Sequence, residues 1–263
     1  MMSLDALEIP PHARTIVERA LAEESAKRSH LVVSLSGAHA YGFPSPDSDF
    51  DLKAVHVEPA HRLLGLSNPV LHADRMEVID GVEIDYTSNE LRPVLLGVLH
   101  GNGNYIERIL GKTALLASDA LESLKPLVKQ ALSRRVAGHY IGFATSQREA
   151  FLRDPSAKKL LYVLRTALTG LHALTTGEIV TDLGSICDTY GFGDARELIL
   201  AKRRGERVKL EPKEGERWLA ESERAIAALR AAVEGSALPP EPTEEASRAL
   251  EDWLLRIRAG LAT

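Results

Sequence analysis

The chain has 263 residues, 44% of them hydrophobic and 26% charged, with a formal net charge of −5. These values exclude a disordered or fibrous protein and describe a soluble globular one long enough for two lobes. The single cysteine, Cys187, excludes an internal disulfide framework and a multi-cysteine zinc site. No apolar run approaches the ~18 residues of a membrane span, and residues 1–14 lack the basic-then-apolar order of a signal peptide, so a cytoplasmic protein with no membrane partner is expected. The mildly acidic balance argues against a dedicated sequence-specific nucleic-acid module while leaving room for a local basic groove.

In chain order, residues 11–28 read as an amphipathic helix and Leu31 to Leu35 as a short strand. Ala38 to Ser48 contains Gly42, Pro44 and Pro46 and is expected as a surface loop. From Phe50 to Val57 the chain alternates like a strand, with Phe50, Leu52, Ala54 and His56 on one face and Asp51, Lys53, Val55 and Val57 on the other. Met76 to Tyr86 predicts a hairpin turning at Asp80-Gly81. Thr87-Ser88-Asn89-Glu90 has capping-box spacing, which predicts a helix from there to the Gly101-Asn102-Gly103 break, where the β region is expected to end.

Helices follow over residues 104–110, 118–132, 134–153 and 156–176. In the last of these Lys158, Arg165 and His172 recur every seven residues as a basic stripe beside an apolar face. Residues 202–217 are rich in Lys and Arg, though Glu206, Glu211, Glu214 and Glu216 interleave with them. Leu238 to Pro242 reads as a linker to a final helix capped by Thr243. The expected fold is α+β: a small mixed or antiparallel sheet lobe over residues 1–112, followed by a helical-bundle lobe over residues 113–263.

The segment with chemical content runs from Ser36 to Leu52. Asp47, Asp49 and Asp51 crowd it, and Asp49 and Asp51, two apart at the mouth of a strand, project to one side, where their repulsion asks for a cation. Oxygen donors without His or Cys suit Mg²⁺ or Mn²⁺, and Mg²⁺ completes its shell with water and substrate phosphates, which implicates a nucleotide. Taken alone, Asp-x-Asp beside two prolines reads as a turn. A calcium loop is the sharper competitor, with Asp47, Asp49, Asp51 and Glu58 at positions one, three, five and twelve; Leu52 stands where that loop needs glycine, and helical flanks are missing. A third acid on the hairpin, Asp85 in preference to its same-face neighbour Glu83, would join the pair if the hairpin lies beside the first strand.

Gly37 through Asp51 resembles the signature of the DNA polymerase beta-like nucleotidyltransferase superfamily: a strand, a Gly-Ser or similar turn, Asp-x-Asp on the next strand and a later third acid. Gly37-Ala38-His39-Ala40-Tyr41-Gly42 with Ser45 to Asp51 is similar to a branch of predicted bacterial nucleotidyltransferases that includes RNA-repair-associated members. Asn89-Glu90-Leu91, Gly101 to Asn104, Glu107, Lys159, Arg165 and Gly177-Glu178 extend the likeness across about residues 30–205. The resemblance implies transfer of a nucleoside monophosphate from an NTP to a hydroxyl, with release of pyrophosphate. Asp49, Asp51 and Asp85 would be catalytic residues and ligands of two Mg²⁺ or Mn²⁺ ions, and Ser36, Gly37, Ala38, Lys158 and Arg165 would meet the nucleotide. The acceptor it suggests is an RNA 3′ end, with a small molecule or a protein side chain equally compatible. Ala38 departs from the family's common serine, and the competing reading is a catalytically weak nucleotide-binding regulatory or antitoxin-like protein.

Overall fold

The computed structural model describes residues 9–205 and 210–260; Glu206, Arg207 and Lys209 of the basic run lie outside them. In chain order the elements are α1 (Pro11–Lys27), β1 (Ser29–Leu35), α2 (Gly37–Tyr41), β2 (Phe50–Val57), α3 (Ala60–Leu64), β3 (His72–Ile79), β4 (Val82–Glu90), α4 (Leu91–Leu99), α5 (Gly103–Leu110), β5 (Ala114–Ala117) and α6 (Asp119–Gln130). There follow α7 (Val136–Arg153), α8 (Ala157–Thr176), α9 (Leu183–Ile186), a 3₁₀ turn over Asp188–Tyr190, α10 (Ala195–Lys202), α11 (Pro212–Gly235) and α12 (Glu244–Gly260). The fold is α+β. Two compact units divide it: one of residues up to Gly37, Asp49–Ala131 and Pro242 onward, the other of Ala38–Ser48 and Leu132–Glu241. The dividing lines therefore fall elsewhere than at residue 112.

The first unit is built on a five-stranded mixed sheet of order β3-β4-β2-β1-β5. The hairpin closes at Asp80 and Gly81, both at positive φ (49° and 80°), as a type I′ turn requires. It lays β4 parallel to β2, with Asp51 opposite Asp85 and Ala54 opposite Ser88, while the other neighbours are antiparallel. Phe50, Leu52, Ala54, Ile84 and Tyr86 fill one face, all under 5% exposed. On that face His30 Nε2 lies 2.6 Å from Tyr86 Oη. Burial, then the charges of Arg28 and His56, push the His30 pKa down to about 4.

Three local expectations are corrected. The β region does not end near residue 103: Ala114-Leu115-Leu116-Ala117 pairs with β1, a short apolar run whose pattern does not distinguish strand from helix. The capping-box residues stay in β4 because they pair with both β2 and β3; the helix starts at Leu91, where Glu90 accepts from Arg92 N–H at 2.7 Å. Ala38–Ser48 is no surface loop, since it opens with α2 and buries Ala38, Ala40, Tyr41, Phe43 and Ser45. The last helix, α12, belongs to the first unit, where Trp253 donates to Ser123 Oγ at 2.9 Å and Arg258 meets the buried carboxylate of Glu90 at 2.8 Å.

The second unit is helical around α8, which is buried along most of its length and packs on α7, α9, α10 and α11. At Gly170 an added Cβ would lie 2.6 Å from Tyr140 Cβ, so α7 and α8 are in close contact. Residues 38–48 are held within this unit. The Arg165 guanidinium stacks 3.6 Å from the Tyr41 ring centroid, and the fully buried Lys202 ammonium donates to Ser45 Oγ at 2.6 Å. A Cβ at Gly42 would fall 2.3 Å from Asp182 Oδ2.

Candidate active site

Strand alternation places Asp51 and Lys53 on the sheet face opposite Phe50, Leu52 and Ala54, and Asp49 immediately precedes the strand, with its charge acting on Asp51. The parallel register of β2 and β4 adds Asp85 beside Asp51 and Thr87 beside Lys53. Asp51 and Asp85 are thereby drawn to one face by two strands whose backbones cannot slip without turning them into the core. Burial, reinforced by the charges of Asp49 and Asp85, raises the Asp51 pKa to about 6, with Lys53 pulling it down.

The backbone holds Asp51 from the other side. Ser36 N–H donates to the Asp51 carbonyl at 2.9 Å, which brings Gly37, at φ +61°, against the Asp51 carboxylate. An ideal Cβ on Gly37 would lie 1.9 Å from Asp51 Oδ2, so the glycine is required both for its left-handed conformation and for the space. The Ser36 amide is thus engaged within the fold. Ala38, 2% exposed, begins the segment held in the second unit.

Of the basic stripe, Arg165 is 4% exposed and lies on Tyr41, Lys158 Nζ stands 6.0 Å from the Tyr162 ring, and His172 Nδ1 meets Tyr190 Oη at 2.9 Å. These three side chains sit in the second unit as parts of its own packing and do not form a common solvated stripe. Lys53 is the residue that reading from the motif missed; its place two residues past Asp51 is the signal that would have found it.

The donor set is that of a hard divalent ion, carboxylate oxygens without sulfur or imidazole. Among the described residues no three His, Cys, Asp or Glu side chains form a ready-made metal cluster, and the Lys53 ammonium bridges Asp51 and Asp85. The like charges around Asp51 are ones a bound cation would relieve, so the residues fit such an ion.

The family model for RlaP, the RNA repair pathway DNA polymerase beta family, matches residues 13–256. The chain belongs to that family. An uncharacterized protein of Methanocaldococcus jannaschii is 30% identical over 159 residues, 59% of this chain; the match spans 64% of that relative, less than two thirds of its length. A nucleotidyltransferase-like protein from Exiguobacterium sibiricum aligns with 83% of this RlaP-family chain and 73% of its own, at 10% identity and a TM-score of 0.33, a likeness too slight to carry an argument. Among the described residues of this family member no helix is long and apolar enough to cross a membrane.

Proposed function

We propose that the chain is a metal-dependent nucleotidyltransferase that moves a nucleoside monophosphate from an NTP to a hydroxyl acceptor and releases pyrophosphate. The observation that carries this reading is the parallel pairing of Asp51 with Asp85, with the charge of Asp49 acting on Asp51 from two residues upstream. Asp49, Asp51 and Asp85 are the residues that would hold Mg²⁺ or Mn²⁺. A divalent ion bound there would offset triphosphate charge and make the acceptor hydroxyl easier to deprotonate. Asp85, with 32% of its side chain exposed, is open to an acceptor and suited to take its proton. Gly37 leaves room for the Asp51 carboxylate, and Ser36 fixes that strand's approach.

The family's RNA repair description makes an RNA 3′ end the first acceptor to try. Lys158 and Arg165, the nucleotide contacts that the resemblance implies, are tested by substitution, and the stacking of Arg165 on Tyr41 gives it a structural task within its own unit. The test is incubation with each α-labelled NTP, Mg²⁺ or Mn²⁺, and separate pools of RNA, protein and small hydroxylated acceptors. Label transfer that disappears in Asp49→Ala/Asp51→Ala supports the enzyme and names the acceptor class. Metal-dependent NTP binding without transfer to any pool favours the regulatory reading, for which Ala38→Ser is the next variant.

A further inference from the structure

The sheet face with Asp51 and Asp85 also carries a cation outside the Asp-x-Asp motif. Lys53 Nζ lies 2.8 Å from Asp85 Oδ2, 3.5 Å from Asp51 Oδ1 and 3.4 Å from Thr87 Oγ1, with 19% of its side chain exposed. Register puts it there: Lys53 pairs with Thr87 one step along the face from the Asp51–Asp85 pair, and β2 and β4 lie side by side between β1 and β3. The place between the second and third carboxylates is taken by an ammonium tied to both.

Resting on the nucleotidyltransferase reading above, we propose that Lys53 stands in for one of two metal ions. The site takes a single divalent cation, on Asp49 and Asp51, while the Lys53 ammonium supplies the fixed positive charge between Asp51 and Asp85. Two positive centres in so small a space repel, and an ion seated between Asp51 and Asp85 would have to expel the ammonium from charge-assisted hydrogen bonds in a largely buried position. Asp85, paired with Lys53, thereby leaves the set of three metal-holding residues and is left to the acceptor. In the transfer the acceptor O–H bond breaks and its proton passes to the Asp85 carboxylate. The oxygen bonds to the α-phosphorus, and the bond from that phosphorus to the bridging oxygen breaks, its electron pair leaving with pyrophosphate. Lys53 acts as a positioning residue, holding the Asp85 carboxylate toward the acceptor.

The experiment counts Mn²⁺ by electron paramagnetic resonance on the full chain, saturated with a non-hydrolysable α,β-methylene NTP. One ion per chain is expected for the wild type and for Lys53→Arg. A second, spin-coupled ion is expected for Lys53→Met and Lys53→Gln, each shown to be folded by its thermal melt. Asp85→Asn should leave the wild-type count and tightness unchanged while abolishing transfer. Two ions in the wild type would overturn the proposal and leave the nucleotidyltransferase reading standing. One ion in both the wild type and the uncharged variants would overturn the part given to Lys53. No protein-bound Mn²⁺ in the presence of the analogue would overturn both. Should the uncharged variants not fold, the wild-type and Asp85→Asn counts decide.

Discussion

Asp51 shows how a candidate catalytic residue burdens the fold that carries it. Its pKa rises from the ordinary 3.8 to about 6, so the native state binds the proton more tightly than the unfolded chain. In the metal-free protein, stability is therefore lost as pH climbs from about 4 to about 6, and roughly 3 kcal/mol is at stake at neutral pH. Asp51→Asn mimics the protonated form. It should exceed the wild type in unfolding free energy by up to about that amount above pH 6, with the difference vanishing below pH 4, while label transfer disappears. Denaturant titrations at stepped pH check this. His30 runs the other way across the same window: its depressed pKa makes stability fall as pH drops from about 6.5 to about 4, so the wild-type profile is flatter than that of the Asn variant. Gly37→Ala is expected to weaken metal-dependent NTP binding at least about tenfold, because its Cβ contests the space of Asp51 Oδ2. Calorimetric affinity equal to wild type would remove Gly37 from the site.

At the scale of elements, what was legible in the sequence was what is local. The alternation of Phe50 to Val57, the Asp80-Gly81 turn and the cap at Thr243 each depend on neighbours in the chain, and Ala246 N–H does donate to Thr243 Oγ1 at 3.1 Å. The pairing of Asp85 with Asp51 required only that the hairpin lie beside the first strand. Alternation alone puts Lys53 on the Asp51 face, but its contacts with Asp85 and Thr87 are fixed by register across two strands, a long-range fact. The packing of residues 38–48 into the helical unit escaped because prolines and glycines announce irregular backbone, and nothing local announces Arg165 or Lys202 against it. Arg165 should accordingly reveal two roles if it has them. Arg165→Ala is expected to cost the helical unit about 2 kcal/mol through loss of a desolvated cation–π contact. NTP affinity measured on the folded variant separates that loss from any contribution to phosphate binding, and an unchanged affinity would leave only the structural role.

For the molecule as a whole, one feature that ties the sheet unit together is the return of the chain to it at α12. The Glu90 carboxylate, 0% exposed at the end of β4, is matched by Arg258 from α12. Removing one partner of a buried pair strands the other charge, so Arg258→Met should destabilise the unit by about 3–5 kcal/mol, whereas replacing Glu90 and Arg258 together by apolar residues should cost much less. Thermal melts of the two single variants and the double variant test the coupling. The same return has a consequence in time. A ribosome delivers β4 long before it delivers α12, so a growing chain holds Glu90 and the acid-bearing strands for more than a hundred further residues without Arg258. The helical unit, whose last segment ends at Glu241, is finished first. The half that carries Asp49, Asp51 and Asp85 is therefore closed by α12 only after the helical half has been made.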